Sequence, residues 1–156
     1  MFHTVKLKPL LTSLALPLAA GGLSALLAGD IGAVYDTLLQ PPLSPPGPVF
    51  PVVWTVLYLL MGVALYRVRQ ADSPEKPMAL ALFYSQLALN AAWTPIFFRL
   101  QWFGFALLWL LVLLAITVRC ALSFGRIDKK AALLLAPYLL WLTFAAYLNW
   151  GVYLLN

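Results

Sequence analysis

Apolar residues run in long blocks along this chain, and polar residues gather in short breaks between them. The blocks cover residues 10–28, 51–66, 78–98, 103–123 and 131–155. A helix needs about 20 largely apolar residues to cross a bilayer. The pattern therefore predicts an all-α membrane protein: one domain over residues 1–156, built as a bundle of five transmembrane helices. Asp30 and Gly32 end the first block, and residues 30–50 form the longest loop. Six of the 12 prolines lie between Pro41 and Pro51. Proline fixes φ and removes a backbone donor, so this stretch is expected to stay out of helix up to Val49. It reads as a stiff, extended, partly polyproline-like first loop that acts as a lid. Pro51 sits where proline is welcome, in the first turn of a helix. Trp54 and Tyr58 follow at i and i+4 on one face of it. The other connectors are Arg67 to Pro77, Arg99 to Trp102 and Gly125 to Lys130.

Composition strengthens the membrane reading. The chain is 63% hydrophobic and 10% charged, with a mean hydropathy of +0.91. Soluble domains are about 45–50% apolar and about 25% charged, so lipid must be the solvent for most of this surface. The net charge of +5 does not point to nucleic acid, because the basic residues separate apolar runs and form no stripe with interleaved aromatics. Their distribution instead predicts orientation. Lys6, Lys8, Arg67, Arg69, Lys76, Arg119, Arg126, Lys129 and Lys130 fall on one side of an alternating path, and only Arg99 on the other. The positive-inside rule then puts the N-terminus in the cytoplasm, and the proline-rich loop and C-terminus across the membrane. Arg119 lies in the last turns of the fourth span and is expected to snorkel to the cytoplasmic interface. Residues 6–22 also carry the basic start, apolar middle and small residues of a signal peptide, but the apolar run continues to spanning length. Gly21, Gly22 and Ala25 are expected to let a neighbouring helix approach closely.

Little in the chain supports acid–base or metal chemistry. Cys120 is the only cysteine and His3 the only histidine, which excludes an internal disulfide, a zinc cluster and a histidine-based triad. The acids Asp30, Asp36, Asp72, Glu75 and Asp128 all fall in loops or at helix ends. An Asp30–Asp36 acid–base pair is one reading; helix-end and turn residues is the other, and residue chemistry favours it. No glycine-rich phosphate loop is present, and no metal or cofactor is expected.

The polar residues inside the spans are more informative. Gln86, Asn90, Trp93 and Phe97 fall on one helical face. A buried amide without a partner is costly, so this face should look into the bundle, with Asn90 either lining a site or serving as interhelical glue. Pro95 frees a backbone carbonyl one turn earlier, where a kink can open space. In the fifth span Pro137, Tyr138, Trp141, Ala145, Leu148 and Asn149 share one side. Trp102, Trp150 and Tyr153 suit an interfacial belt instead. Trp109 has no polar companion and is expected to face lipid or packing. The converging faces predict a largely apolar pocket with flat aromatic walls, suited to a large, flat, hydrophobic ligand. A transporter of small polar solutes would need a more polar lining.

These residues lie in four ordered blocks: Tyr35-Asp36-x-Leu38-x-x-Pro41-x-x-x-Pro45-Pro46; Val49-Phe50-Pro51-x-x-Trp54-Thr55-x-Leu57-Tyr58; Asn90-x-x-Trp93-Thr94-Pro95-x-Phe97-Phe98; and Pro137-Tyr138-x-x-Trp141-x-x-x-Ala145-x-x-Leu148-Asn149. With them the chain resembles the TspO/MBR family over nearly its whole length. That family comprises tryptophan-rich sensory proteins and the translocator protein, or peripheral benzodiazepine receptor. The resemblance implies a five-helix membrane bundle, commonly a homodimer. Beneath its first loop it implies a pocket for porphyrins, in particular protoporphyrin IX, and for isoquinoline carboxamide and benzodiazepine ligands. The implied ligand-binding positions are Tyr35, Pro45, Trp54, Tyr58, Asn90, Trp93, Phe97, Trp141, Ala145 and Leu148. Some members degrade protoporphyrin in light, with tryptophans matching Trp54 and Trp141 implicated as catalytic. The chain departs from the family in its first loop. Gln40, Pro41, Pro42 and Leu43 replace the usual Lys-Pro-x-Trp, so a cation and an indole are missing. It also lacks the cholesterol-recognition pattern of animal members, since only Leu154, Leu155 and Asn156 follow Tyr153.

Three functions follow as expectations. The first is a membrane receptor or sensor that binds porphyrin-like ligands, heme included, and transports them. The second is a light-dependent protoporphyrin-degrading enzyme. The third is an interaction protein whose Ala88 and Ala92, at small-xxx-small spacing, bind another membrane protein.

Overall fold

The computed structural model describes residues 4–156; the sequence reading of His3 falls outside that range. The described residues form six helices and no strand. These are α1 (Leu7–Ala28), α2 (Ile31–Thr37), α3 (Val49–Gln70), α4 (Lys76–Phe98), α5 (Phe103–Ile127) and α6 (Lys129–Leu155). Four of them, α1, α3, α5 and α6, are long and apolar enough to cross a membrane. At 23 residues α4 has the length, but Ser85, Gln86, Asn90 and Thr94 dilute its hydropathy.

The sixth helix is α2, which lies inside the segment read as loop. Gly29 ends α1 with φ 80°, a conformation that glycine adopts freely. Asp30 then starts α2 as its N-cap, its side chain accepting from the Ala33 amide at 3.0 Å. Residues 38–48 are free of helix, as the prolines require, but they are turned rather than uniformly extended. Turns occur at Pro42–Leu43 and Gly47–Pro48, and Leu43 takes φ 71°. Helices α3 and α5 run about one turn further than expected, so Arg67, Arg69 and Arg126 belong to last turns and only Asp128 separates α5 from α6. Cations near a helix C-terminus interact favourably with its dipole, which extends these helices through their basic residues.

The five long helices close into a ring in the order α1, α3, α6, α5, α4, each touching the next. At the end holding the α3–α4 and α5–α6 connections the ring is solid. Gly62 lets α1 and α3 meet at the backbone: a methyl there would lie 2.7 Å from the Leu14 Cα. Phe83 of α4 stacks on Phe124 of α5 with ring centroids 5.8 Å apart. Met61, Leu65, Val68 and Leu113 fill the space between and are inaccessible. The Arg67 guanidinium donates to the Asp128 carboxylate at 2.7 Å, joining α3 to the α5–α6 turn. Partial burial raises the Asp128 pKa, but the Arg67 hydrogen bond and charge and the amides of Lys130 and Ala131 outweigh it and hold the carboxyl below its ordinary value. The opposite end of the ring is hollow.

Candidate functional site

The hollow end contains a cavity of about 780 Å³, lined by α1, α2, the proline-rich segment, α3, α4 and α6. Small-molecule sites typically measure about 300–1,000 Å³. Its wall is mainly aromatic. Tyr35 of α2 meets Phe50 edge-on at 5.1 Å, and Phe50 meets Trp141 of α6 at 5.8 Å. Trp141 meets Trp54 of α3 at 6.5 Å and 88°, and Trp54 stacks on Tyr58 at 5.4 Å. Facing residues Trp93 and Phe97 of α4 lie 5.1 Å apart. Edge and offset contacts of this kind suit the ring quadrupole and hold each plane in place.

Proline and glycine placement makes the space. Pro95 cannot donate to the Ala91 carbonyl, and Ser24 of α1 supplies the missing donor at 2.7 Å. That bond ties α1 to α4 beside the cavity. Gly21 admits the Tyr58 ring, which its Cβ would displace, and nothing lies within 4 Å of a methyl on Gly22. The close helix approach expected at Gly21 and Gly22 is thus a ring contact at the first and open space at the second. The backbone contact falls at Gly62.

Behind Tyr58 lies a buried polar chain. The Tyr58 hydroxyl donates to Asn90 Oδ1 at 2.9 Å, Asn90 Nδ2 donates to the Tyr138 hydroxyl at 2.7 Å, and Tyr138 donates to Gln86 Oε1 at 2.8 Å. Gln86 Nε2 is the one buried side-chain polar atom without a partner among the described residues. A second pair crosses nearby: Trp93 Nε1 donates to Asn149 Oδ1 at 3.2 Å, and Asn149 Nδ2 to the Phe103 carbonyl at 2.8 Å. These bonds satisfy amides that apolar surroundings would otherwise penalise, and they fix the cavity floor.

Of the ten positions that the family resemblance implies, eight border the cavity: Tyr35, Trp54, Tyr58, Trp93, Phe97, Trp141, Ala145 and Leu148. Two do not. Asn90 stands behind Tyr58 with its amide engaged on both atoms, so it positions the wall. Pro45 accepts the Tyr35 hydroxyl through its carbonyl and anchors that ring. Phe50, Leu18, Gly22 and Ala25 also line the space. Phe50 bridges Tyr35 and Trp141 and sits in the Val49-Phe50-Pro51 motif, where it had no assigned role. Trp109, expected to have no polar companion, donates Nε1 to the Leu89 carbonyl at 2.8 Å and so pins α5 to α4. At the substituted loop positions, Gln40 reaches the cavity and donates to the Tyr35 carbonyl at 2.9 Å, whereas Leu43 is 83% exposed.

The sequence matches the TspO/MBR family over residues 13–155. It is 40% identical over 129 residues to the tryptophan-rich protein TspO of Chlorobaculum tepidum, covering 78% of each chain. To the tryptophan-rich sensory protein of Cereibacter sphaeroides it is 39% identical over 122 residues, covering 78% of this chain and 76% of the relative. To the translocator protein of Bos taurus it is 37% identical over 122 residues, covering 76% and 72%. Four helices apolar enough to cross a bilayer fit an integral membrane protein, as do relatives of this similarity. A match that runs from the first long helix to the last shows that the chain belongs to the TspO/MBR family.

Proposed function

We propose that this protein is a membrane receptor of the sensory or translocator type that binds porphyrins and similar flat hydrophobic molecules in the aromatic cavity. One observation carries the reading: Tyr35, Phe50, Trp141, Trp54 and Tyr58 form a continuous ring-to-ring wall around a space of about 780 Å³. Flat walls reward a flat ligand through stacking and edge contacts. Indole N–H groups add polarity. Trp93 and Trp109 commit theirs to Asn149 and Leu89, while those of Trp54 and Trp141 have no partner among the described residues. Donors of this kind suit a ligand bearing carbonyl or carboxylate acceptors.

In this reading α4 is a fifth span, with Gln86 and Asn90 facing the ring interior, where they find partners. The proline-rich segment is the lid. The end carrying Arg67, Arg69, Arg126 and Lys130 is cytoplasmic by the positive-inside rule. The protein pairs with itself, as the family resemblance implies. Titrating purified protein with protoporphyrin IX, heme and a sterol tests the reading. Saturable binding of the porphyrins with weaker sterol binding supports it; no saturable porphyrin binding overturns it.

The contact between Trp54 and Trp141 favours a second reading, light-dependent degradation of protoporphyrin. A photoexcited porphyrin can take an electron from an adjacent indole without an acid or base nearby, leaving a reduced porphyrin radical and an indole radical cation. Dissolved dioxygen, as the electron acceptor, then supplies the oxidant for net loss of the porphyrin. Illumination of the complex should then yield a new absorbing species. A rate unchanged by Trp54→Phe together with Trp141→Phe would remove this reading and leave the binding role intact.

A further inference from the structure

We propose that the cavity is loaded sideways, from the acyl-chain layer of the membrane, through a slot between α1 and α3 whose threshold is Gly22. The proposal rests on the ligand-binding reading above and adds the route and the phase from which the ligand comes.

Four observations converge on this slot. First, the exposed part of the cavity wall lies along α1, α2 and the start of α3. Leu18, Gly22, Ala25, Gly32, Asp36, Pro48, Pro51 and Thr55 line the cavity and are also exposed, whereas no lining residue of α4 or α6 is exposed. Leu18, Gly22 and Ala25 share one face of α1, and Pro51 and Thr55 one face of α3. Second, the contact between the two helices loosens toward the cavity. They meet backbone to backbone at Leu14 and Gly62, whereas at Gly21 the Tyr58 ring occupies the gap; Gly22, on the next face of α1 round, looks into open space, with nothing within 4 Å of a methyl there. Third, α1 is held away from α3 at this level. Ser24 bonds the Ala91 carbonyl of α4, and Arg99 donates to the Leu27 carbonyl at 3.2 Å.

Fourth, the end of the bundle is strapped shut. Asn156 accepts from the Leu39 amide at 3.2 Å and donates to the Leu39 carbonyl at 2.9 Å. Tyr147 donates to the Pro42 carbonyl at 2.8 Å, and the Pro41 ring fills the place of a side chain on Gly151. No comparable bond spans the slot between α1 and α3 among the described residues. The seam between α3 and α6 has a shallow apolar groove on its outer face, but Trp141 stands between that groove and the cavity.

Depth and chemistry identify the phase. Leu18 lies about 15 Å below the end of α1 at 1.5 Å per residue, roughly half the thickness of a bilayer core. The slot therefore runs alongside acyl chains, and its rim there is Leu18, Gly22, Ala25 and Thr55, with Gly32, Asp36, Pro48 and Pro51 toward the top and Asp36 the one charged residue among them. A flat apolar ligand partitions into that layer before it meets the protein, so the route avoids returning it to water.

Gly22→Phe is the test, because a Cβ at that position meets nothing within 4 Å, and retained helical content and melting temperature identify a folded variant. Protoporphyrin IX binding to protein in phosphatidylcholine vesicles is followed by stopped flow. Association should slow by about fivefold or more, and dissociation should slow with it, as a narrowed doorway requires and a lost contact would not produce. Asn156→Ala, which loosens the strapped end, should leave association unchanged. Unaltered rates in Gly22→Phe, or faster association in Asn156→Ala, would overturn the proposal, whereas absence of wild-type binding strikes the receptor reading. A second arm needs no ligand. Gly22→Cys in a Cys120→Ala background should react with a lipid-dissolved pyrene maleimide much faster than with a charged maleimide added in water. Equal or reversed rates would also overturn the lateral route.

Discussion

The two ends of the helix ring are built from opposite choices. Toward the basic end, Met61, Leu65, Val68, Phe83, Leu113 and Phe124 are inaccessible, and Gly62 brings two backbones into contact. Toward the other end, α3 and α6 carry rings that stand edge to face around empty space. Helix α3 shows the change within one element: Trp54 and Tyr58 border the cavity, and Met61, Gly62 and Leu65 are core one to two turns later. The difference teaches where stability and binding reside. Close packing needs residues that fill space, and a site needs residues stiff enough to leave it open. The polar chain from Tyr58 to Gln86 lies at the boundary and belongs to both.

Substitutions that separate the two ends should do so in a graded way. The largest effect is expected at the packed end. Gly62→Leu drives a side chain against Leu14 and Ser13 backbone atoms within 3 Å, which cannot yield as a flexible side chain would. A loss of about 3 kcal/mol or more is expected, read as a large fall in melting temperature in detergent. Next comes the boundary. Tyr138→Phe strands Asn90 Nδ2 and Gln86 Oε1 and should cost about 2 kcal/mol. If the variant melts like the wild type, the polar chain is not holding the floor.

A smaller effect of opposite sign is expected in the proline-rich segment. Leu43 sits at φ 71° with its side chain exposed, so Leu43→Gly should relieve strain and stabilise by about 1 kcal/mol. A fall in melting temperature would show that the leucine has an unrecognised contact. The smallest effect is at the Arg67–Asp128 pair, whose side chains are 36% and 21% exposed. Asp128→Asn should cost about 0.5 kcal/mol at neutral pH. The carboxyl is held below its ordinary value of 3.8, so the folded state favours the ionised form. The contribution is therefore full above about pH 3.8 and lost as pH falls through the lower folded value. Wild type and variant should differ by a constant amount from pH 7 to 5 and converge in stronger acid. A difference that instead grew in acid would contradict the assignment.

Much of this architecture was legible in the chain because lipid imposes a simple code. Long apolar blocks separated by charges gave the long helices, and the inward polar face of α4 followed from the cost of an unpartnered amide at Gln86 and Asn90. Trp54, Trp93 and Trp141 were legible through helical spacing, which puts each on the same face as a tyrosine or amide, and all three line the cavity. Features set by a single local bond were harder to read. Helix α2 is seven residues long and depends on the Asp30 cap, which reads equally as a turn. Trp109 finds its partner in a backbone carbonyl of another helix, which no side-chain pattern announces. The split between Gly21, Gly22 and Gly62 needs the crossing geometry of α1 and α3, since adjacent glycines look alike in a sequence. Asn90 was placed on the correct face, but only the Tyr58 and Tyr138 hydroxyls show that its amide is already engaged.

The account turns on the aromatic wall as the binding surface, and Trp141 is its centre, in contact with Phe50, Trp54 and Phe144. The most direct measurement is the affinity of protoporphyrin IX for wild type and Trp141→Ala, followed by the porphyrin's own absorbance so that the lost indole does not alter the signal. The wall predicts an affinity about tenfold weaker, roughly 1.4 kcal/mol, in a variant that keeps its helical content. An unchanged affinity in a folded variant would contradict it.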